Sequence, residues 1–179
     1  MAFTLYEIDN APEPAASQLK ESQDAFGFIP NIHKALAASP ETLAAYKYLH
    51  DQFQASSFDH NELTVVWQTI NYYHDCSYCI PAHTAAAHMM KVDPAIIEAL
   101  HNGESLQDDK LSVLQQTTRA VVDQRGRLNE EQIYDFKSAG YGDKQLLEIL
   151  LGLAQKVISN YTNHLAKTPL DAPFEQFAN

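Results

Sequence analysis

The chain carries only two cysteines, and they stand three residues apart, at Cys76 and Cys79, with His83 four residues further on. A secreted scaffold spreads its cysteines to staple distant segments, so a lone tight pair points to thiol chemistry or metal binding. At about 100° per residue on a helix, Cys76, Cys79 and His83 share one narrow arc. Pro81 is tolerated only in a helix's first turn or a loop, and Ala85-Ala86-Ala87 is strongly helix-forming, so a helix is expected to begin near Cys76 and Ser77. The start of a helix carries about half a positive charge and free N–H groups, both of which favour a thiolate. The His83 imidazole is placed to accept the thiol proton. An activated thiol, a resolving thiol and a base are thus expected together. Two other readings remain open at this point. Zinc could take Cys76, Cys79 and His83 with a fourth ligand from the remaining histidines, although no second ligand couple is present. The blandest reading is two small buried hydrophobes beside a core histidine.

The elements that must hold this cluster read as helices. Ser39-Pro40-Glu41 opens a helix to about Gln54, with Leu43, Tyr46 and Leu49 at helical spacing. Asp59 and Glu62 form a capping pattern ahead of Leu63, Val66, Trp67 and Ile70. Further helices are expected from Asp93-Pro94 to Gly103, from Asp108 to Gln124, from Asn129 to Gly140, and from about Asp143 to Leu165. Prolines 12, 14 and 30 interrupt an N-terminal arm, and Pro169 and Pro173 interrupt the tail. TVVWQTINYY is β-prone by composition, but its cap and length favour helix, and no hairpin signal occurs. A single all-α domain over 1–179 is expected: an arm to about 40, a cysteine-bearing half over about 41–103 and a second half over about 104–179. An offset of 84 residues lays Thr64 on Glu148, Cys76 on Asn160 and Cys79 on Asn163, a faint internal repeat that chance resemblance between helices explains equally well.

With 23 acidic against 12 basic residues and a net charge of -11, the chain would be repelled by nucleic acid and offers no polybasic membrane patch. No apolar run approaches the ~20 residues of a membrane span. No basic-then-apolar leader is seen at MAFTLYEIDN, so a cytoplasmic location is expected. His74 reads as a solvated loop histidine, and His88, about half a turn away from Cys79 around the helix, faces elsewhere. Trp67, Tyr72 and Tyr73 read as core or interface before pocket lining. Asn160, Asn163 and His164 could reach the site from the last helix, and ordinary capping accounts for them almost as well.

The run Cys76-x-x-Cys79-x-x-x-His83, with Gly27-Phe28-Ile29-Pro30-Asn31 near the start and Asn160-Tyr161-Thr162-Asn163-His164 and Pro169-Leu170-Asp171 near the end, resembles the AhpD-like, carboxymuconolactone decarboxylase superfamily in its peroxidase-related branch. The resemblance implies an all-α AhpD-like fold, often of two related halves. It also implies homo-oligomers such as trimers or hexamers. For the site it implies a thiol peroxidase in which Cys79 attacks a small hydroperoxide and becomes a sulfenic acid, Cys76 condenses with it to a disulfide, and a dithiol partner restores the reduced form. It implies no cofactor and no bound metal. The family's relay glutamate, twelve residues before the first cysteine, falls on Thr64, which is no base. Glu62, Glu148 and Tyr78 are the candidates left for a proton relay. A decarboxylase-type lyase and a non-catalytic redox or zinc module are the alternatives.

Overall fold

The computed structural model describes residues 3–178. Among them are nine α-helices, one 3-10 helix and no strand: α1 (Glu13–Phe26), α2 (Asn31–Leu36), α3 (Pro40–Gln54), α4 (His60–Tyr73), α5 (Cys79–Met89), α6 (Pro94–Asn102), α7 (Asp109–Asp123), α8 (Glu130–Ser138), α9 (Asp143–Ala166) and the 3-10 helix Ala172–Phe177. The all-α expectation holds.

α4 is the central element. Asp59 accepts the Glu62 N–H while Glu62 accepts the Asp59 N–H, so the helix starts on a complete capping box. Every residue from Glu62 to Asn71 is buried, which is why its β-branched run reads as helix: the strand preference of Thr, Val and Ile yields to burial on all sides. α4 packs against α5, α7 and α9, and its Val66, Trp67 and Ile70 join Phe53, Leu114, Phe136 and Ile149 in the main core. α9 lies against α3 as well. Gly152 makes that approach close, because a Cβ there would stand 2.8 Å from the Phe53 ring.

Two differences from the expected layout have local causes. The N-terminal arm is not broken up; it folds into α1 and α2. Pro12 caps α1 and Pro14 lies in its first turn, where a missing N–H costs nothing, and Pro30 caps α2 in the same way. The helix expected from Cys76–Ser77 runs from Cys79. Asp75 adopts a left-handed conformation (φ 51°) after α4 ends, and Ser77–Tyr78 form a turn. The helical hydrogen bonding still starts earlier, since the Cys76 carbonyl accepts the Ile80 N–H at 3.0 Å.

α1 and α2 pack with Leu43 and Tyr46 of α3 and with Cys76, Tyr78 and Cys79 in a second apolar cluster, closed by Ile158, Leu170 and Phe174. The dithiol therefore lies beneath the N-terminal helices and the C-terminal tail. No described helix is long and apolar enough to cross a membrane.

Candidate active site

Both cysteines are free thiols and both are buried, Cys76 at 0% and Cys79 at 2% exposure. The turn that ends α4 places Cys76 where a helix-capping residue stands, and its Sγ accepts the Cys79 backbone N–H at 3.3 Å. Asn163 of α9 donates from Nδ2 to Cys79 Sγ at 3.2 Å and, more weakly, to Cys76 Sγ at 3.9 Å. Asn160 Nδ2 donates to Asn71 Oδ1, and Asn71 Nδ2 reaches the Cys79 carbonyl and Gln68 Oε1. The residues paired by the 84-residue offset, Cys79 with Asn163, are thus neighbours in space.

The two thiols are pushed apart electrically. Burial pushes the Cys79 thiol up and is the largest single influence on it. The hydrogen bond from the Cys76 thiol, the Lys156 charge and the amides of Asn163 and Asn160 together outweigh burial and bring Cys79 down to about 6. Cys76 moves up, because its thiol donates to Cys79 and because it is buried beside that sulfur's charge. The pair shares one ionisation, and Cys79 takes it.

His83 projects from α5 onto Trp67, with ring centroids 4.8 Å apart. No hydrogen bond joins it to either sulfur. Its Nε2 lies 2.8 Å from Lys156 Nζ, and its Nδ1 is buried without a partner. Burial, then the Lys156 charge, then His50 hold the imidazole well below its ordinary value. Trp67 Nε1 donates to Gln155 Oε1 at 2.7 Å, and Gln155 Nε2 meets His50 Nδ1 at 3.1 Å. Lys156 escapes a motif search, since a lone lysine in a helix reads as surface. Its one sequence signal is register, four and seven residues before Asn160 and Asn163.

The three relay candidates are held elsewhere. Glu62 accepts from Lys110 Nζ at 2.8 Å and from the Tyr141 hydroxyl at 3.0 Å, besides capping α4. Glu148 accepts the Ser57 N–H at 2.9 Å and the Ser57 hydroxyl at 2.5 Å. Tyr78, between the cysteines, donates to Asp171 at 2.5 Å and accepts the Ile32 N–H. Burial first, then the Asp171 charge, push its phenol up, the wrong direction for a base. Asp171 also accepts the Asn31 N–H, so it fastens the tail to α2 and to the dithiol turn. Thr64 is buried with its hydroxyl unpartnered.

His74 meets Asn160 Oδ1 through Nδ1 at 2.9 Å, so it is tied to the site's edge rather than left in solvent. His88 is exposed and stacks on Phe177, and His164 is exposed. Trp67 is core, Tyr72 is half-buried against that core and Tyr73 is exposed. Among the described residues, no group of three or more His, Cys, Asp or Glu side chains is placed to hold a metal ion.

No protein-family model matches the sequence, and no curated protein matches it. Solved structures do. The AhpD-core structure of an uncharacterised peroxidase-related protein from Ralstonia eutropha JMP134 superposes with a TM-score of 0.79 at 19% identity, over 97% of this chain and 93% of that one. A peroxidase-related protein from Silicibacter sp. TM1040 gives 0.77 at 20% identity over 97% and 93%. A cysteine-to-alanine variant of the debrominase Bmp8, bound to 2,3,4-tribromopyrrole, gives 0.77 at 17% identity over 98% and 95%. The chain therefore has the all-helical fold of the AhpD core.

Proposed function

We propose that this protein is an AhpD-like thiol oxidoreductase of the peroxidase-related kind that reduces hydroperoxides through Cys76 and Cys79. The observation that carries the reading is the buried dithiol turn, in which Cys76 Sγ accepts the Cys79 N–H at 3.3 Å and Asn163 Nδ2 donates to Cys79 Sγ at 3.2 Å, an arrangement that favours the thiolate at Cys79. The Cys79 thiolate attacks the terminal peroxide oxygen, the O–O bond breaks, and Cys79 becomes a sulfenic acid as an alkoxide leaves and takes a proton. The Cys76 thiol then attacks the Cys79 sulfur, water leaves and the disulfide closes. An external dithiol reduces it and is itself oxidised. Such a cycle suits a reducing compartment such as the cytoplasm. Trimeric or hexameric assembly remains part of the proposal by likeness of fold.

The test is mass spectrometry of protein treated with an organic hydroperoxide. Wild type should lose two hydrogens across the Cys76–Cys79 peptide, and Cys76→Ser should accumulate a sulfenic acid at Cys79. If both thiols stay reduced while Cys79→Ser turns over peroxide like wild type, the reading is wrong. The debrominase among the structural neighbours favours a second reading, in which the Cys79 thiolate takes the bromine of a protonated brominated ring as a sulfenyl bromide, the ring carbon keeps the proton, and Cys76 then expels bromide as the disulfide closes. Bromide release from tribromopyrrole, dependent on Cys79, separates the two.

A further inference from the structure

Lys156 lies in the middle of α9 and is 1% exposed. Gly152, Gln155, Ser159, Asn160 and Asn163 of the same helix are buried with it. Its Nζ has one hydrogen-bond partner among the described residues, His83 Nε2 at 2.8 Å. None of the ion pairs among those residues includes it. A buried ammonium with no counter-charge costs several kcal/mol, and a lysine so placed ordinarily sheds its proton. It stays charged only beside an anion.

The titratable groups that face it are few. α3 contributes His50, the turn before α5 contributes Cys76 and Cys79, and α5 contributes His83; Tyr46 of α3 faces the sulfurs themselves. α9 itself adds only amides and a hydroxyl. No carboxylate is among them. Tyr46 is pushed up by burial and then by the Cys79 charge, so it stays protonated. α9 lays Lys156 alongside the dithiol: Asn163, two turns on in the same helix, donates to Cys79 Sγ, and Lys156 itself meets His83, one turn on from Cys79. Burial, the larger influence, lowers the Lys156 ammonium, and the charge of the two sulfurs opposes it.

We propose that Lys156 is the cation of the site: its ammonium holds the Cys79 thiolate by charge, and His83 is the neutral acceptor that fixes the ammonium in place. The inference rests on the reading that Cys79 is the reactive thiolate. Lys156 Nζ lies 2.8 Å from His83 Nε2; with the ammonium as donor there, the ring proton stands on Nδ1, which has no partner. A second positive charge on the ring would lie 2.8 Å from the first, with His50 close by. Lys156 makes no hydrogen bond to either sulfur, so it is a positioning residue that acts through its field.

The experiment titrates the reduced protein by the ultraviolet absorbance of the thiolate, with Cys79→Ser as blank. Wild type should ionise with a midpoint of about 6. Lys156→Met should raise the midpoint by a unit or more, so that at the wild-type midpoint the thiolate falls from one half to about one tenth. Lys156→Arg should keep the midpoint low, because the charge is kept. His83→Gln should also keep it low. An unchanged midpoint in Lys156→Met overturns the inference and leaves the oxidoreductase reading standing. If Lys156→Met does not fold, Lys156→Gln is titrated in its place, and an unchanged midpoint there overturns the inference. A wild-type midpoint near an ordinary thiol's value of about 8.5 would instead remove the reading on which the inference rests.

Discussion

Replacing Asn163 by alanine removes the one side-chain amide that donates directly to the reactive sulfur, at 3.2 Å. A hydrogen bond to a charged group is worth about 1.5–3 kcal/mol. At about 1.4 kcal/mol per pH unit, its loss should raise the Cys79 midpoint by roughly 1–2 units. Starting from about 6, the variant should ionise at about 7–8. Near neutrality the thiolate fraction would then fall from about nine tenths to between about one half and one tenth, and the rate of Cys79 oxidation by a hydroperoxide should fall about two- to tenfold. The deficit should vanish above about pH 9, where both proteins are fully ionised. The assay is the initial rate of oxidation across pH, read beside the thiolate absorbance of the same samples. An unshifted midpoint would refute the claim that this amide holds the thiolate. A deficit that persists undiminished at high pH would show that Asn163 orients the substrate instead.

Tyr78→Phe deletes the donor to Asp171 and should cost about 1–3 kcal/mol in urea unfolding, while iodoacetamide should reach Cys79 faster because the tail over the dithiol loosens; slower labelling would refute the covering role. His33 is held down to about 3, by burial first and then by the Lys47 and His50 charges. Below about 6.5 the unfolded chain binds a proton there that the folded protein does not, so stability should fall as pH drops from about 6.5 towards about 3. His33→Gln should flatten that slope in pH-dependent thermal melts, and an equally steep slope would place the effect elsewhere. Gly152→Val should destabilise by more than about 1–3 kcal/mol in thermal melts, since its branched side chain meets Phe53, itself buried between Trp67 and Phe58. A neutral result would mean that α3 and α9 can separate without cost.

The helices from α3 onward were legible because their signals are local. Ser39-Pro40, Asp59 with Glu62, Asp93-Pro94, Asp108 and Asn129 with Gln132 each start a helix as read, by side chains that satisfy backbone donors within a few residues. α1 was missed because its prolines look the same whether they break a helix or begin one. Only packing of Ala15 and Leu19 onto the dithiol cluster decides that.

The sequence by itself determined that two thiols and an imidazole stand within one short segment at the start of a helix, because Pro81 and the alanine run after it fix where that helix begins. Tertiary structure decided their electrostatics. Lys156, Asn160 and Asn163 lie more than seventy residues from the cysteines, and only the packing of α9 against α4 and α5 brings their donors and charge to Cys79. Packing of α7 against α4 holds Glu62 on Lys110, and Glu148 of α9 is held on Ser57. Burial and opposing charge act through distance in space, which a linear pattern does not encode.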